Sequence, residues 1–478
     1  MKVMKNFLYN VSYQLLSIIL PLITVPYVSN ILGAEGIGDY AFTFANTQYF
    51  VIFGMIGITL YGNRQIAYVR ENKKKLKNTF YSIYLLQFIT TTISLILFIV
   101  FALLFNNGIY RILYVAQGLN ILANMFDISW LFMGLEEFKK TVVRNTIVKL
   151  VSLASIFIFV KSNEDILIYT IILGLSTVIG NLTLWLYIPK SIGVNDIKIR
   201  ELNIHLKSSV SLFVPQIAIQ VYLLLDRTML GLITNSAEVG YYENSQKLIK
   251  IVLTVATAVG TVMMPKIANT VASGDMKKVK YYIENSFFFI SAISIPMAFG
   301  LMGIANELSP WFFTDKFVGI EKLIIVSSFI IIAISWSNVL GTQLLVPLNK
   351  TREFTISVTS GAIVNFVLNL VMLKYLGALG ACLSTVIAEL TVTIVQFYFV
   401  KDLLKPLELI RSILVFIPSA VIMYIVVRLI GINMESNILT NIIQVVSGGA
   451  VYLICIEILF RIIKRESVII YIKRVIKY

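Results

Sequence analysis

The sequence predicts an all-α integral membrane protein with about fourteen transmembrane helices, and three observations carry that expectation. Of the 478 residues, 58% are hydrophobic and only 14% charged, whereas an average soluble domain is about 45–50% apolar and about 25% charged. Apolar runs recur along the whole chain, and about 20 such residues suffice for one crossing. Lys and Arg gather in alternate connections between those runs, which is how membrane helices mark their inner side.

The runs are taken in order. The first, near 7–32, carries Asn10, Gln14, Ser17 and Thr24 on one side and is bent by Pro21 and Pro26. Its start resembles the charged end of a signal peptide, but apolar residues continue through Leu32 without a good cleavage site, so it is read as a retained helix. A second run, near 38–62, opens on IGDY and ends before Arg64. Runs near 79–105 and 110–134 follow a basic loop, and the latter holds Asn120, Asn124 and Asp127. The fifth and sixth, near 143–160 and 166–188, carry Lys149 and the text LSTVIGNL. Near 208–234 stand Pro215, Gln216, Gln220, Asp226 and Arg227, and near 239–264 lies the most polar run of all. Six more follow, near 282–305, 319–346, 355–374, 378–400, 410–430 and 438–460, with Asn338 in the tenth and Glu389 in the twelfth.

With the N-terminus placed inside, the inner connections hold roughly five times as many Lys and Arg as the outer ones. The formal charge of +15 therefore reports orientation, with both termini cytoplasmic. Anionic membrane lipids are the partners it suggests, and nucleic acid is excluded as one. Outer connections are short, the longest spanning Asn306 to Val318, which leaves little room for an extracellular catalytic domain.

Two short texts return with nearly the same offset. LSTVIGNL at Leu175–Leu182 reappears as LSTVIAEL at Leu383–Leu390, and IGDY at Ile37–Tyr40 as VGYY at Val239–Tyr242. The expectation is a duplicated six-helix unit: a lobe over 1–200, a second over 201–405, and two additional helices with a basic tail over 406–478. Six being even, the repeats run parallel, an arrangement that encloses a central path for alternating access.

An ionisable group at the centre of a span costs at least about 2.5–3.5 kcal/mol, so such groups are expected to face water or protein. In the eighth helix Glu243, Lys247, Lys250, Thr254, Thr257 and Thr261 step by three and four and share one face. Arg64, Lys149, Arg227, Lys247 and Lys250 are the candidate cations for an anionic cargo. Asn10, Gln14, Ser17, Gln216, Gln220, Glu243, Thr254, Thr257 and Asn338 are the candidate polar lining. Asp127, Asp226 and Glu389 are candidates for ion coupling. A plainer reading stands beside each: Glu243 with Lys247 and Asp226 with Arg227 as structural pairs, Lys149 and Arg64 reaching the inner boundary, and the amides and hydroxyls as interhelical contacts. No phosphate-binding loop, HExxH or triad pattern occurs, and His205 is the sole histidine. Cys382 and Cys455 sit in separate apolar runs and suggest neither disulfide nor metal. An enzyme, a metal and a cofactor are not expected.

At Ser29–Ala67, SNILGAEGIGDYAFTFANTQYFVIFGMIGITLYGNRQIA, the chain resembles the start of bacterial polysaccharide-repeat flippases, the Wzx-type proteins of the MATE-like exporter superfamily. The resemblance continues through DISWLFMGLEEF (Asp127–Phe138), LDRTMLGLITNSAEVGYYENSQKL (Leu225–Leu248) and LGALGACLSTVIAE (Leu376–Glu389), and so covers nearly the whole chain. It implies a MATE-like two-lobed fold in the bacterial cell membrane. It also implies transfer of an undecaprenyl-pyrophosphate-linked oligosaccharide from the cytoplasmic to the outer leaflet during capsule, O-antigen or exopolysaccharide assembly. Polysaccharide polymerase and other assembly proteins are the partners such a role would have. Two alternatives share the fold: a MATE-type cation or drug exporter, which should favour an acidic cavity, and a lipid II flippase for peptidoglycan precursor.

Overall fold

In hydrocarbon a backbone must satisfy its own polar groups, and a helix does so within one segment. The computed structural model describes residues 2–189, 199–464 and 467, and among these every regular element is helical. In chain order they are α1 (Lys2–Met55), α2 (Ile58–Val69), α3 (Lys73–Leu104), α4 (Gly108–Met125), α5 (Ser129–Gly134), α6 (Phe138–Phe159), α7 (Ile166–Trp185) and α8 (Ile199–Ile233). Next come α9 (Ser236–Ala272), α10 (Met276–Phe312), α11 (Ile320–Ser337), α12 (Thr351–Val400), α13 (Pro406–Ile413), α14 (Phe416–Ile432) and α15 (Ile438–Lys464). A π-helical stretch, Asn338–Leu345, continues α11.

Two of these helices are too long for one crossing. α1 has 54 residues and α12 has 50, about 75–80 Å of helix against about 30 Å of hydrocarbon. Each breaks at a glycine: Gly33 at φ 68°, ψ −174°, and Gly377 at φ 52°, ψ −131°. A side chain at such a φ is strained, so glycine makes the turn possible. Both breaks fall in the text Leu-Gly-Ala-x-Gly, at Leu32–Gly36 and Leu376–Gly380. With α1 and α12 each counted as two rods, eleven of the fourteen expected spans fall on one rod, while 38–62 runs from α1 into α2, 110–134 from α4 into α5 and 410–430 from α13 into α14. Nine stretches among the described residues are long and apolar enough to cross on composition alone. α4, α8 and α9, which hold much of the expected polar stripe, are not among them.

Contacts divide the chain into two compact units, residues 1–240 and 241–478. In the first unit α1 packs on α3, α4, α6 and α8, α7 packs on α4 and α6, and α2 packs on α5. α8, placed by the sequence repeat at the head of a second lobe, thus packs with the helices that precede it. In the second unit α10 packs on α11, α14 and α15, and α11 on α12. The buried centre of this unit joins Phe287, Phe288, Phe416 and Phe460 to Val339 and Leu340.

The first unit contains one unusually close backbone approach. A Cβ on Gly38 would stand 1.7 Å from the Ser236 carbonyl oxygen, and one on Gly240 would stand 2.0 Å from that of Ala34. The contacts are reciprocal: Ala34 and Ser236, like Gly38 and Gly240, are related by the offset that links IGDY to VGYY. Reciprocity of this kind is what a local two-fold relation between duplicated segments produces.

Candidate cationic site

α9 has two faces. Tyr242, Ser245, Ile249, Ala256 and Gly260, spaced by three, four and seven, are buried in the second unit. Glu243, Lys247, Lys250, Thr254 and Thr257 lie on the other side of the same helix. Along that stripe Glu243 and Lys247 approach to 3.7 Å, with side chains 15% and 28% exposed. Lys250 and Thr254 are exposed, and Thr257 is half-buried. The Thr254 and Thr257 hydroxyls donate to the carbonyls of Lys250 and Leu253, at 2.8 and 2.9 Å, so each stays against its own helix. Lys250 stands fourteen residues from the start of α9, about 21 Å along the axis. An ammonium inside a span needs water, protein or a ligand against it, and Lys250 is exposed.

In α8 the Asp226 side chain is buried, and the half-buried Arg227 donates from Nη1 to the Leu223 carbonyl at 2.8 Å. Gln220 is exposed on the same helix. Beside Arg227, Thr228 donates to Asn46 Oδ1 at 2.9 Å and meets the Tyr49 hydroxyl at 3.2 Å, while Asn46 Nδ2 donates to the Tyr114 hydroxyl at 2.7 Å. About two turns away, Asp39 Oδ1 accepts from the Tyr110 and Ser236 hydroxyls. This polar seam ties the second rod of α1 to α4 and α8. Sequence reasoning passed over it, although Asp39, Thr43, Asn46 and Thr47 carry the three-and-four spacing that puts polar groups on one face.

The remaining predicted residues are dispersed. Arg64 is exposed on α2, Lys149 half-buried on α6 and Glu389 half-buried on α12. Asn338 opens the π-helical stretch and accepts from Gln343 Nε2 at 3.0 Å, while Gln343 Oε1 accepts from Ser286 at 2.6 Å. Along α4, Asn120 donates to Gln117 Oε1 and Asn124 to the Asn120 carbonyl. Asp127 accepts from the backbone N–H and the hydroxyl of Ser129, at 2.8 and 3.1 Å, which holds the turn that starts α5. Asn10, Gln14 and Ser17 belong to α1 and Gln216 to α8, with side chains outside the described residues.

Two further features lie in the second unit. A groove of about 440 Å³ between α10, α14 and α15 is walled by Pro296, Gly300, Val427, Gly448 and Tyr452, and its walls are almost entirely apolar. Near it, Arg428 Nη1 reaches Glu307 Oε1 and Oε2 at 2.8 and 2.9 Å, and Gln444 Nε2 reaches Oε2 at 3.0 Å. The Glu307 side chain is 8% exposed. Counted by its place in the sequence, Arg428 is one more outer charge. The signal that it is more was Glu307, an acid inside an apolar run, which needs a partner.

Fourteen membrane-length rods among the described residues, one of them bearing a stripe with an exposed lysine, define a multi-pass membrane protein. The chain belongs to the polysaccharide biosynthesis protein family, whose model matches residues 3–271. It is 23% identical over 403 residues to a protein of Escherichia coli (strain K12) provisionally named an O-antigen transporter, a match covering 83% of this chain and 96% of that one. Over 232 residues it is 27% identical to the lipid II flippase MurJ of Bacillus subtilis (strain 168), covering 44% and 41% of the two chains. Among solved structures, a lipid II flippase MurJ in an inward closed conformation superposes with a TM-score of 0.77 at 18% identity, covering 95% of this chain and 99% of that one. An inward-facing multidrug resistance MATE family transporter gives a TM-score of 0.60 at 13% identity, covering 82% and 95%. At these identities the structural likeness is one of fold.

Proposed function

We propose that the protein is a flippase that moves an undecaprenyl-pyrophosphate-linked oligosaccharide from the cytoplasmic to the outer leaflet by alternating access, without catalysing a covalent step. The observation that carries this reading is the lysine stripe on α9, where Lys250 stands exposed within a span. A pyrophosphate is a dense anion for which ammonium and guanidinium groups are fitting partners, so Lys250 and Lys247 of the second unit are its proposed contacts, and Arg227 of the first unit is proposed as a cargo-binding cation in its own right. Hydroxyls and amides along the stripe, Thr254 and Thr257 among them, suit a sugar. The apolar groove between α10, α14 and α15 offers the isoprenoid a wall of matching chemistry. Arg64, Lys149, Gln220 and Asn338 are proposed as further lining, and Asp226, Asp127 and Glu389 as groups through which an ion gradient drives the cycle. Placement in the bacterial cytoplasmic membrane with both termini inside follows from the charge bias of the connections. A cationic stripe disfavours the rival reading as a cation or drug exporter.

Deletion of the gene is expected to strand polyprenyl-linked oligosaccharide on the cytoplasmic leaflet, with surface polysaccharide lost. Lys250→Ala and Arg227→Ala, produced at normal level, are expected not to restore it. Unchanged surface glycan with altered drug sensitivity would overturn the reading in favour of the exporter.

A further inference from the structure

In an α-helix, residues five apart point about 140° away from each other. α11 leaves that winding in the π-helical stretch Asn338–Leu345, where the Val346 N–H reaches the Gly341 carbonyl, five residues back, at 3.1 Å. Winding of this kind stacks residues five apart, and Gln343 Nε2 donates to Asn338 Oδ1 at 3.0 Å. The other end of the Gln343 amide is held by α10, whose Ser286 hydroxyl donates to Oε1 at 2.6 Å. Gln343 and Ser286 are fully buried, so any movement that parts them strands a polar group away from water. Against the two amides lies α9. A Cβ on Gly260 would stand 2.5 Å from Asn338 Oδ1 and 2.9 Å from Gln343 Nε2, so the pair rests on bare helix backbone.

Gly260 is one end of the buried side of α9. Toward the other end the Tyr242 hydroxyl meets that of Thr385 at 3.3 Å, and Gln246 Nε2 donates to Ser327 Oγ at 3.0 Å. About 21 Å of helix separates Gln246 from Gly260, and Lys250 and Thr254 of the stripe stand between them. Held at both ends of the stripe, α9 cannot turn about its axis without breaking one of these contacts. Shortly after Gly260, Pro265 lies inside the helix and has no N–H to return to the carbonyl one turn earlier. The contact at Gly260 is therefore the last hold before α9 weakens.

We propose that Gln343 is a positioning residue for the α9 stripe: with Asn338 it seats Gly260 and fixes the rotation that leaves Lys250 exposed. The role rests on the reading of the stripe as the cargo site, whereas the seat does not.

The test is thiol modification of the full-length protein in detergent, with Cys382→Ala and Cys455→Ser in the background and Ile249→Cys or Ala305→Cys as the sole thiol. Ile249 is 1% exposed on the buried side of α9, and Ala305 is buried on α10. Each hydrogen bond weighs one orientation against another by roughly five-fold, so Gln343→Leu, which removes two, should speed modification at 249 by up to about 25-fold and leave 305 unchanged. Ser286→Ala removes one and is the milder change should Gln343→Leu not fold; it should speed modification at 249 by about five-fold. In liposomes, transfer of a polyprenyl-pyrophosphate-linked oligosaccharide by Gln343→Leu should fall at least about five-fold. An unchanged rate at 249 in these variants would overturn the seat, as would an equal rise at 305, which marks general loosening. Wild-type transfer by Gln343→Leu, when Lys250→Glu abolishes it, would overturn the positioning role. Wild-type transfer by Lys250→Glu as well would refute the cargo reading on which that role rests.

Discussion

Replacing Arg428 by methionine removes one half of a charge pair that the protein interior cannot re-solvate. Glu307 is 8% exposed and Arg428 21% exposed. With the guanidinium gone, the carboxylate keeps the hydrogen bond from Gln444 Nε2 at 3.0 Å. A pair this well buried is a poor source of net stability when compared with a hydrophobic replacement, but removing one partner typically costs about 3–5 kcal/mol. Part of that cost is local, because the same cluster holds the last helices together: Asn441 Nδ2 donates to Gln444 Oε1 at 2.7 Å, and Trp311 Nε1 to Asn441 Oδ1 at 2.6 Å. Gly431 shows how little slack exists, since a Cβ there would stand 2.4 Å from Glu307 Cδ and 2.6 Å from Gln444 Nε2. The assay is thermal unfolding in detergent, followed by thiol labelling of Cys382, which is buried. Arg428→Met is expected to lower the transition by on the order of 10 °C. Adding Glu307→Gln should recover more than half of the loss, because the stranded charge is then gone. An Arg428→Met protein within about 1 kcal/mol of wild type, or a double variant no better than the single one, would refute the reasoning.

Gly38→Ala and Gly240→Ala each drive a methyl group into a carbonyl oxygen and should cost at least about 3 kcal/mol. Yield of monodisperse protein on gel filtration should collapse for both, while Gly449→Ala, which meets nothing within 4 Å, should behave as wild type. Asp127→Ala removes two hydrogen bonds from the turn before α5 and should lower stability by about 1–2 kcal/mol, measured by the same thermal assay. Asp275 caps α10: the Lys278 backbone N–H and then its ammonium hold the carboxyl below the usual carboxylate range. Its contribution is therefore present above the unfolded value of about 3.9 and is lost as pH falls through the lower folded one. Asp275→Asn should show a shallower loss of melting temperature on acidification than wild type.

Much of the fold was legible in the sequence because hydrocarbon allows so few solutions. Apolar runs had to become helices, and the fourteen expected spans are where the rods lie. The α9 stripe was legible for the same reason, since its three-and-four spacing defines one face whatever surrounds it. What could not be read were partners far apart in sequence. Glu307 meets Arg428 across 121 positions and Asn46 meets Thr228 across 182, and spacing within one helix carries no information on either. The helix-four stripe shows the converse limit. Its periodicity was plain, yet Asn120, Asn124 and Asp127 all bond to nearby groups along α4 and the turn after it. Amides packed between helices and amides lining a cavity share one pattern. The merging of two spans into α1 and into α12 was also hidden, because it depends on the backbone angles of Gly33 and Gly377.

The central claim is that the lysine stripe of α9, with Lys250 exposed on it, handles an anionic lipid-linked cargo. The most direct test reconstitutes the wild type, Lys250→Arg and Lys250→Glu in liposomes with a fluorescent polyprenyl-pyrophosphate-linked oligosaccharide and follows its transfer between leaflets with an impermeant quencher. Transfer by the wild type and by Lys250→Arg, with none above protein-free liposomes for Lys250→Glu, is the expected result. Equal transfer by Lys250→Glu and the wild type would contradict the claim.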